Sequence, residues 1–250
     1  MRFILSLCAV LAAFQAAGSQ PYNGYKNILS GGAGAVSHVF IDNQASPLRY
    51  ENTTVTYVLQ YVRNTVNGYH RIVLGYDGGK FTTPGAGAGR MFEDYFRFRL
   101  RGGYMHRLFS LFDDSAFIMG GFHVNNIFAY RDHYYFENRS ELFIDYTAAL
   151  HPVVEVFYRI GDIHVIRSQV SVSAAALLYH NPYSIRGDMQ YSFRFFDSFR
   201  QSAVSFSYRF RFSTRLQAEF TYSFDFTRHS VPQRYRGAND ILTFLIGYRM

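Results

Sequence analysis

The feature that most constrains this chain is a strict alternation of apolar and polar residues near its C-terminus. From Ser202 to Phe212, Val204, Phe206, Tyr208, Phe210 and Phe212 take one face, while Ser205, Ser207, Arg209 and Arg211 take the other. That is the two-residue period of a β-strand. From Arg215 to Phe226 the pattern repeats. Leu216, Ala218, Phe220, Tyr222, Phe224 and Phe226 alternate with Gln217, Glu219, Thr221, Ser223 and Asp225. Only Ser213-Thr214 separates the runs, so they read as a hairpin with a tight turn. Each run has the length of a tilted transmembrane strand, about 9–11 residues. Strands in soluble proteins more often stop after about five or six.

The same rhythm extends upstream. Val55, Tyr57, Leu59 and Tyr61 alternate, and Ile72, Leu74 and Tyr76 follow a turn at Asn67-Gly68. Phe92, Phe96, Phe98 and Leu100 oppose Glu93, Tyr95, Arg97 and Arg99. Leu142, Ile144, Tyr146 and Ala148 oppose Glu141, Asp145 and Thr147, and Val154, Val156, Tyr158 and Ile160 oppose Glu155 and Arg159 before a turn at Gly161-Asp162. Ile185, Met189, Tyr191 and Phe193 oppose Arg186, Asp188, Gln190, Ser192 and Arg194. The polar segment Thr227 to Asp240 reads as a long loop before a final run, Ile241 to Met250. Ser30 to Val36 reads as the lead into the first strand, and the glycine-rich segment Asp77 to Gly89 reads as a flexible loop. That segment lacks the G-x-x-x-x-G-K-[ST] spacing of a phosphate loop. The expectation is an all-β, antiparallel up-and-down transmembrane barrel of about 12 strands, with 10 or 14 as alternatives.

Residues 1–19 read as a signal peptide: Arg2 is basic, Phe3 to Phe14 are apolar, and Ala16-Ala17-Gly18-Ser19 is small. Residues 20–250 would then be one barrel domain. Cys8, the only cysteine, lies inside the apolar stretch. The mature chain would therefore carry no disulfide and no thiolate metal site. Aromatic residues make up 19%, with 26 Phe, 21 Tyr and no Trp. Such a composition suits a lipid-facing wall with tyrosine at its rims. Net charge is +7, but the arginines are scattered over strands, which argues against a nucleic-acid partner.

The leader, the alternating strands and the terminal run together resemble a bacterial outer-membrane β-barrel protein. Leu242, Phe244, Ile246 and Tyr248 match the alternating final strand that serves such proteins as an assembly signal, although the last residue is Met250 rather than an aromatic one. The resemblance implies outer-membrane localisation, contact with outer-membrane lipid and with the barrel-insertion machinery, a monomer, and both termini in the periplasm.

With the apolar faces toward lipid, the polar faces line a lumen. Arg71, Arg97, Arg99, Arg159, Arg167, Arg194, Arg209 and Arg211 face Glu93, Glu141, Asp145, Glu155, Asp188, Glu219 and Asp225, a near balance of charge. Two outcomes follow. The charges pair and close the barrel, or they segregate and leave a narrow path for small polar or anionic solutes. The leading expectation is a passive diffusion channel. The pairs Arg209/Arg211 and Arg97/Arg99, each about 7 Å apart on one face, are its selectivity candidates. Pairing of the arginines with Glu219, Asp225 or Asp188 competes with that role. The alternatives are a closed structural or surface-presenting barrel and a lipid-modifying hydrolase. An enzyme is the less expected outcome, because no G-x-S-x-G elbow occurs, although His180 lies near Ser184. No catalytic residue, metal site or cofactor is assigned.

Overall fold

The computed structural model describes residues 27–42, 46–83, 92–112, 115–134, 140–180, 190–230 and 234–250. The expected leader, Asp188 and residues 84–89 of the glycine-rich segment lie outside these. Twelve strands follow in order: β1 Asn27–Asp42, β2 Ser46–Thr65, β3 Gly68–Thr82, β4 Phe92–Leu111, β5 Ala116–Tyr134, β6 Ser140–Ile160, β7 His164–Val172, β8 Ala175–His180, β9 Gln190–Phe195, β10 Phe199–Arg211, β11 Leu216–His229 and β12 Tyr235–Arg249. All pairings are antiparallel.

The ring closes with ten strands rather than twelve, in the order β1 to β7, then β10, β11 and β12, which pairs back onto β1. β8 and β9 lie outside the ring. β8 runs on from β7 along the upper half of β6, and β9 pairs with β8 above β10. The expected count of twelve is corrected for a physical reason: two breaks split what would otherwise be two long strands. At the first, the pairing Val153↔Ser171 gives way to Leu150↔Ala175, with Pro152 at the step. Proline has no N–H for a ladder and favours such irregularities. At the second, Phe196–Ser198 forms a turn between β9 and β10.

Register fixes the barrel's shear. Partners followed from Tyr158 lead through Ile166, Tyr208, Phe220, Phe244, Ala33, Tyr57, Tyr76, Phe98 and Phe128 to Tyr146. The circuit returns to β6 twelve residues from its start. A ring of ten with this stagger tilts its strands by about 40°.

Every residue on that circuit points outward, and most are aromatic. The outer wall is apolar for the whole length of the terminal run, where Leu242, Phe244, Ile246 and Tyr248 are exposed while Ile241, Thr243, Leu245 and Arg249 are buried inside. Tyr61, Tyr104, Tyr158, Tyr208 and Tyr248 form a lower girdle near the short turns, and Asp240, Arg200, Arg228 and Arg236 mark the upper limit of the belt. Such a belt, about 25 Å tall, matches the hydrocarbon core of a bilayer.

The short turns lie at one end: Val66–Asn67, Gly161–Ile163 and Phe212–Arg215, with Gly161 at φ 60, a left-handed conformation that glycine adopts without strain. Asn27 and Met250 meet there through two backbone hydrogen bonds. The β4–β5 connection also lies at this end, where the Ser115 N–H donates to the Phe112 carbonyl and the Arg159 N–H to the Ser115 carbonyl. The other end, called the loop end below, carries the connections that follow β1, β3, β5, β8 and β11. The expected long loop Thr227 to Asp240 is mostly strand, because β11 reaches His229 and β12 begins at Tyr235. Above the belt both faces meet polar surroundings, so apolar alternation fades while the ladder continues. Ser30 to Val36, read as a lead, lies within β1 and pairs on both sides.

Candidate lumen site

The lumen has three layers, each set by which residues the strands turn inward. At the turn end, Ile28, Val62, Tyr69, Met105, Phe117, Met119, Val153, Phe157 and Val165 form one buried cluster drawn from β1 through β7. Phe117 and Phe157 stack with centroids 4.7 Å apart. Polar bonds cross the barrel just above. Arg71 on β3 donates to Glu155 on β6 at 2.8 Å and to Gln169 on β7 at 2.7 Å, and the Tyr69 hydroxyl donates to Glu155. On the facing wall, Glu219 accepts from Arg209 at 2.9 and 2.7 Å and from Arg167 at 2.8 Å.

The middle layer turns small residues inward. Ser205, Ser223, Thr221, Thr243 and Gly75 leave a cavity of about 110 Å³. At Gly75 a Cβ would stand 3.3 Å from the Arg99 guanidinium that lies over it, so a larger residue there would push that guanidinium by a few tenths of an ångström. Two charged groups of this layer, Arg101 and Asp225, face the cavity, and neither makes an ion pair with any described residue. Gln60 Nε2 and Asn125 Oδ1 are likewise buried without a partner among the described residues. Beside them His123 and His151 stack at 4.8 Å, and His151 meets the Gln201 amide oxygen at 3.1 Å.

The upper layer holds a second cavity of about 120 Å³ that shares Arg99 and Asp225 with the first. Asp77 is its hub. Arg97 and Arg99 approach its Oδ1 at 3.2 and 3.1 Å, and His38 Nε2 lies 3.1 Å from Oδ2. His38 Nδ1 is 2.6 Å from Asn239 Oδ1. Above it Phe40, Tyr50, Phe81 and Tyr95 pack together with Tyr235. Arg131 reaches across from β5, with its guanidinium 5.6 Å from the Phe40 ring and 2.8 Å from Asp145.

The two arginine ladders are therefore not free selectivity filters. Arg97 and Arg99 converge on Asp77, and Arg209 forms a two-pronged pair with Glu219. Arg211 lies lower, beside Arg249 and Gln217. Arg159 caps the turn-end cluster, 5.1 Å over the Phe117 ring. Arg194 sits on β9, outside the ring. Glu155 is buried in the cross-lumen bonds and Asp225 lines both cavities. The sequence reading missed His38, Asp77, Asn239, Arg101 and the His123/His151 stack. All are inward residues at strand positions, so parity with Val55, Phe98 and Leu242 was the signal that could have found them. Ser184 and the His180 side chain lie outside what is described. His38 meets Asn239 and Asp77, with Arg97 Nη2 3.4 Å from its Nε2, while His151 meets Gln201 and His164 meets Tyr208.

A closed antiparallel ring with an apolar outer belt and a polar, charge-paired lumen is the fold of outer-membrane β-barrel proteins, and comparison with solved structures agrees. The outer-membrane protease OmpT from Escherichia coli superposes with a TM-score of 0.56 at 8% identity, covering 93% of this chain and all of that one. The translocator domain of the autotransporter NalP from Neisseria meningitidis gives 0.52 at 10% identity, covering 98% and 94%. At such identities the likeness is one of fold. No protein-family model matches the chain, and no curated protein does.

Proposed function

We propose that the chain is an outer-membrane barrel whose lumen is shut at the turn end, and that it holds a polar chamber reached from the loop end rather than a permanently open diffusion path. One observation carries this reading: the turn-end cluster and the Arg71–Glu155–Tyr69 bonds span the barrel interior. Barrels of about eight strands are filled by side chains and those of 16–18 are open, so a ring of ten falls close to the filled case. Planar-bilayer recording of the purified chain tests it. Native protein should show no steady unitary conductance, whereas Phe117→Ala/Phe157→Ala protein should conduct. Steady conductance in the native protein would reject the closed lumen.

A gated channel for small polar or anionic solutes is the second reading, favoured by the two cavities that meet at Arg99 and Asp225. It requires the turn-end layer to move. Conductance that appears only under applied voltage or on adding a solute would support it.

A further inference from the structure

The outer wall carries one arrangement that the barrel's own chemistry does not explain. Arg200 on β10, Arg228 on β11 and Arg236 on β12 are direct register partners, Arg200↔Arg228 and Arg228↔Arg236. All three are exposed on the outward face. Like charges directly opposite one another on a sheet face are destabilising, because their Cβ atoms lie only about 5 Å apart. A protein can offset this with carboxylates between the arginines, yet among the described residues none stands between them. Arg228 and Arg236 make no hydrogen bond or ion pair with any described residue. Arg200 donates to the carbonyl of Phe196 at 3.2 Å and stands 4.7 Å over its ring, contacts that leave its charge unbalanced. Two exposed carboxylates of this wall are occupied with hydroxyl groups: Asp240 accepts from Tyr222 at 2.6 Å, and Asp197 from Ser198 at 3.2 Å.

The position of the row is as informative as its charge. The three arginines stand at the loop-end edge of the apolar belt. Toward the turn end, past Ser202, Phe226 and Ala238, the outward face passes to Phe224, Phe206 and Leu242, which are 39%, 54% and 57% exposed, with the Asp240 carboxylate between Ala238 and Leu242. A surface with three cations over an apolar slope fits a molecule with an anionic head and hydrocarbon chains. Guanidinium groups bind phosphate with paired N–H donors, which makes phosphate the favoured head. We infer that the β10–β12 wall binds a phosphorylated lipid of the outer leaflet, its phosphates on Arg200, Arg228 and Arg236 and its chains along the apolar face below.

This rests on the outer-membrane placement proposed above, and the test separates the two. Purified full-length chain in neutral detergent is titrated with a bis-phosphorylated acylated disaccharide lipid, with the same lipid after dephosphorylation, and with inorganic phosphate. Binding is followed by thermal unfolding. The phosphorylated lipid should raise the unfolding temperature well above the other two. The Arg200→Gln/Arg228→Gln/Arg236→Gln variant should bind it on the order of 100-fold more weakly, since each surface arginine contributes roughly fivefold toward an anionic lipid. Without lipid the variant should be at least as stable as the native chain, because the repulsion is relieved. Equal response to both lipids, undiminished binding by the variant, or an equal response to inorganic phosphate would each overturn the inference. Failure of the chain to show heat-modifiable mobility in detergent would instead reject the barrel's membrane placement.

Discussion

The two ends of the lumen are built on the same alternating strands and behave as different materials. At the turn end the inward positions carry Tyr69, Met105, Phe117, Met119 and Phe157, which fill the bore as a soluble core would be filled. A few residues along the same strands, the inward positions carry Gly75, Arg99, Arg101 and Asn125, and the bore opens into cavities. The difference teaches that the backbone of a ten-stranded ring does not decide between plug and chamber. Side-chain volume at inward positions does, because close packing leaves no room for solvent only where large side chains meet.

The comparison predicts where the molecule is fragile. Glu155→Ala should have the largest effect, about 3–5 kcal/mol by thermal or urea unfolding, because it strands the buried Arg71 guanidinium and the Tyr69 hydroxyl at the turn end. Phe157→Ala should follow at ~3 kcal/mol, since it removes a ring stacked on Phe117 and opens the plug, and it should also raise ion conductance in bilayers. Breaking the upper hub by Asp77→Asn should cost less, about 2 kcal/mol, and should leave the bilayer silent, because Arg97, Arg99 and His38 lose their partner while the plug stays intact. Asp225→Asn should be the mildest, below about 1 kcal/mol, because no ion pair is broken. A large effect of Asp225→Asn together with a small effect of Glu155→Ala would reverse the assignment of plug and chamber. If the chamber does conduct, the Arg209→Ala/Arg211→Ala variant should keep its ion selectivity, as Arg209 is already neutralised by Glu219.

Much of the wall was legible. Alternation assigned the lipid face of β10, β11 and β12 residue by residue, and Leu242, Phe244, Ile246 and Tyr248 are outward as expected. It worked because a half-buried strand has a period of two and only one face tolerates charge. It weakened at β7–β8 and β9–β10, where a proline step and a turn interrupt the ladder, and above the belt, where Arg228 and Arg236 stand on the outward face of strands that read as loop. The candidate site was legible only as an inventory of charges. Parity shows that Arg97, Arg99 and Asp77 face inward, but not that they meet.

The sequence by itself determined that this chain forms long two-faced strands, apolar outside and charge-balanced inside, because that property belongs to each strand alone. The tertiary structure alone decided that ten strands close the ring with a stagger of twelve, that Arg71 finds Glu155 across the bore, and that three arginines align on the outer wall. Those are relations between strands far apart in the chain, fixed by register and closure, and a one-residue slip in register would abolish them.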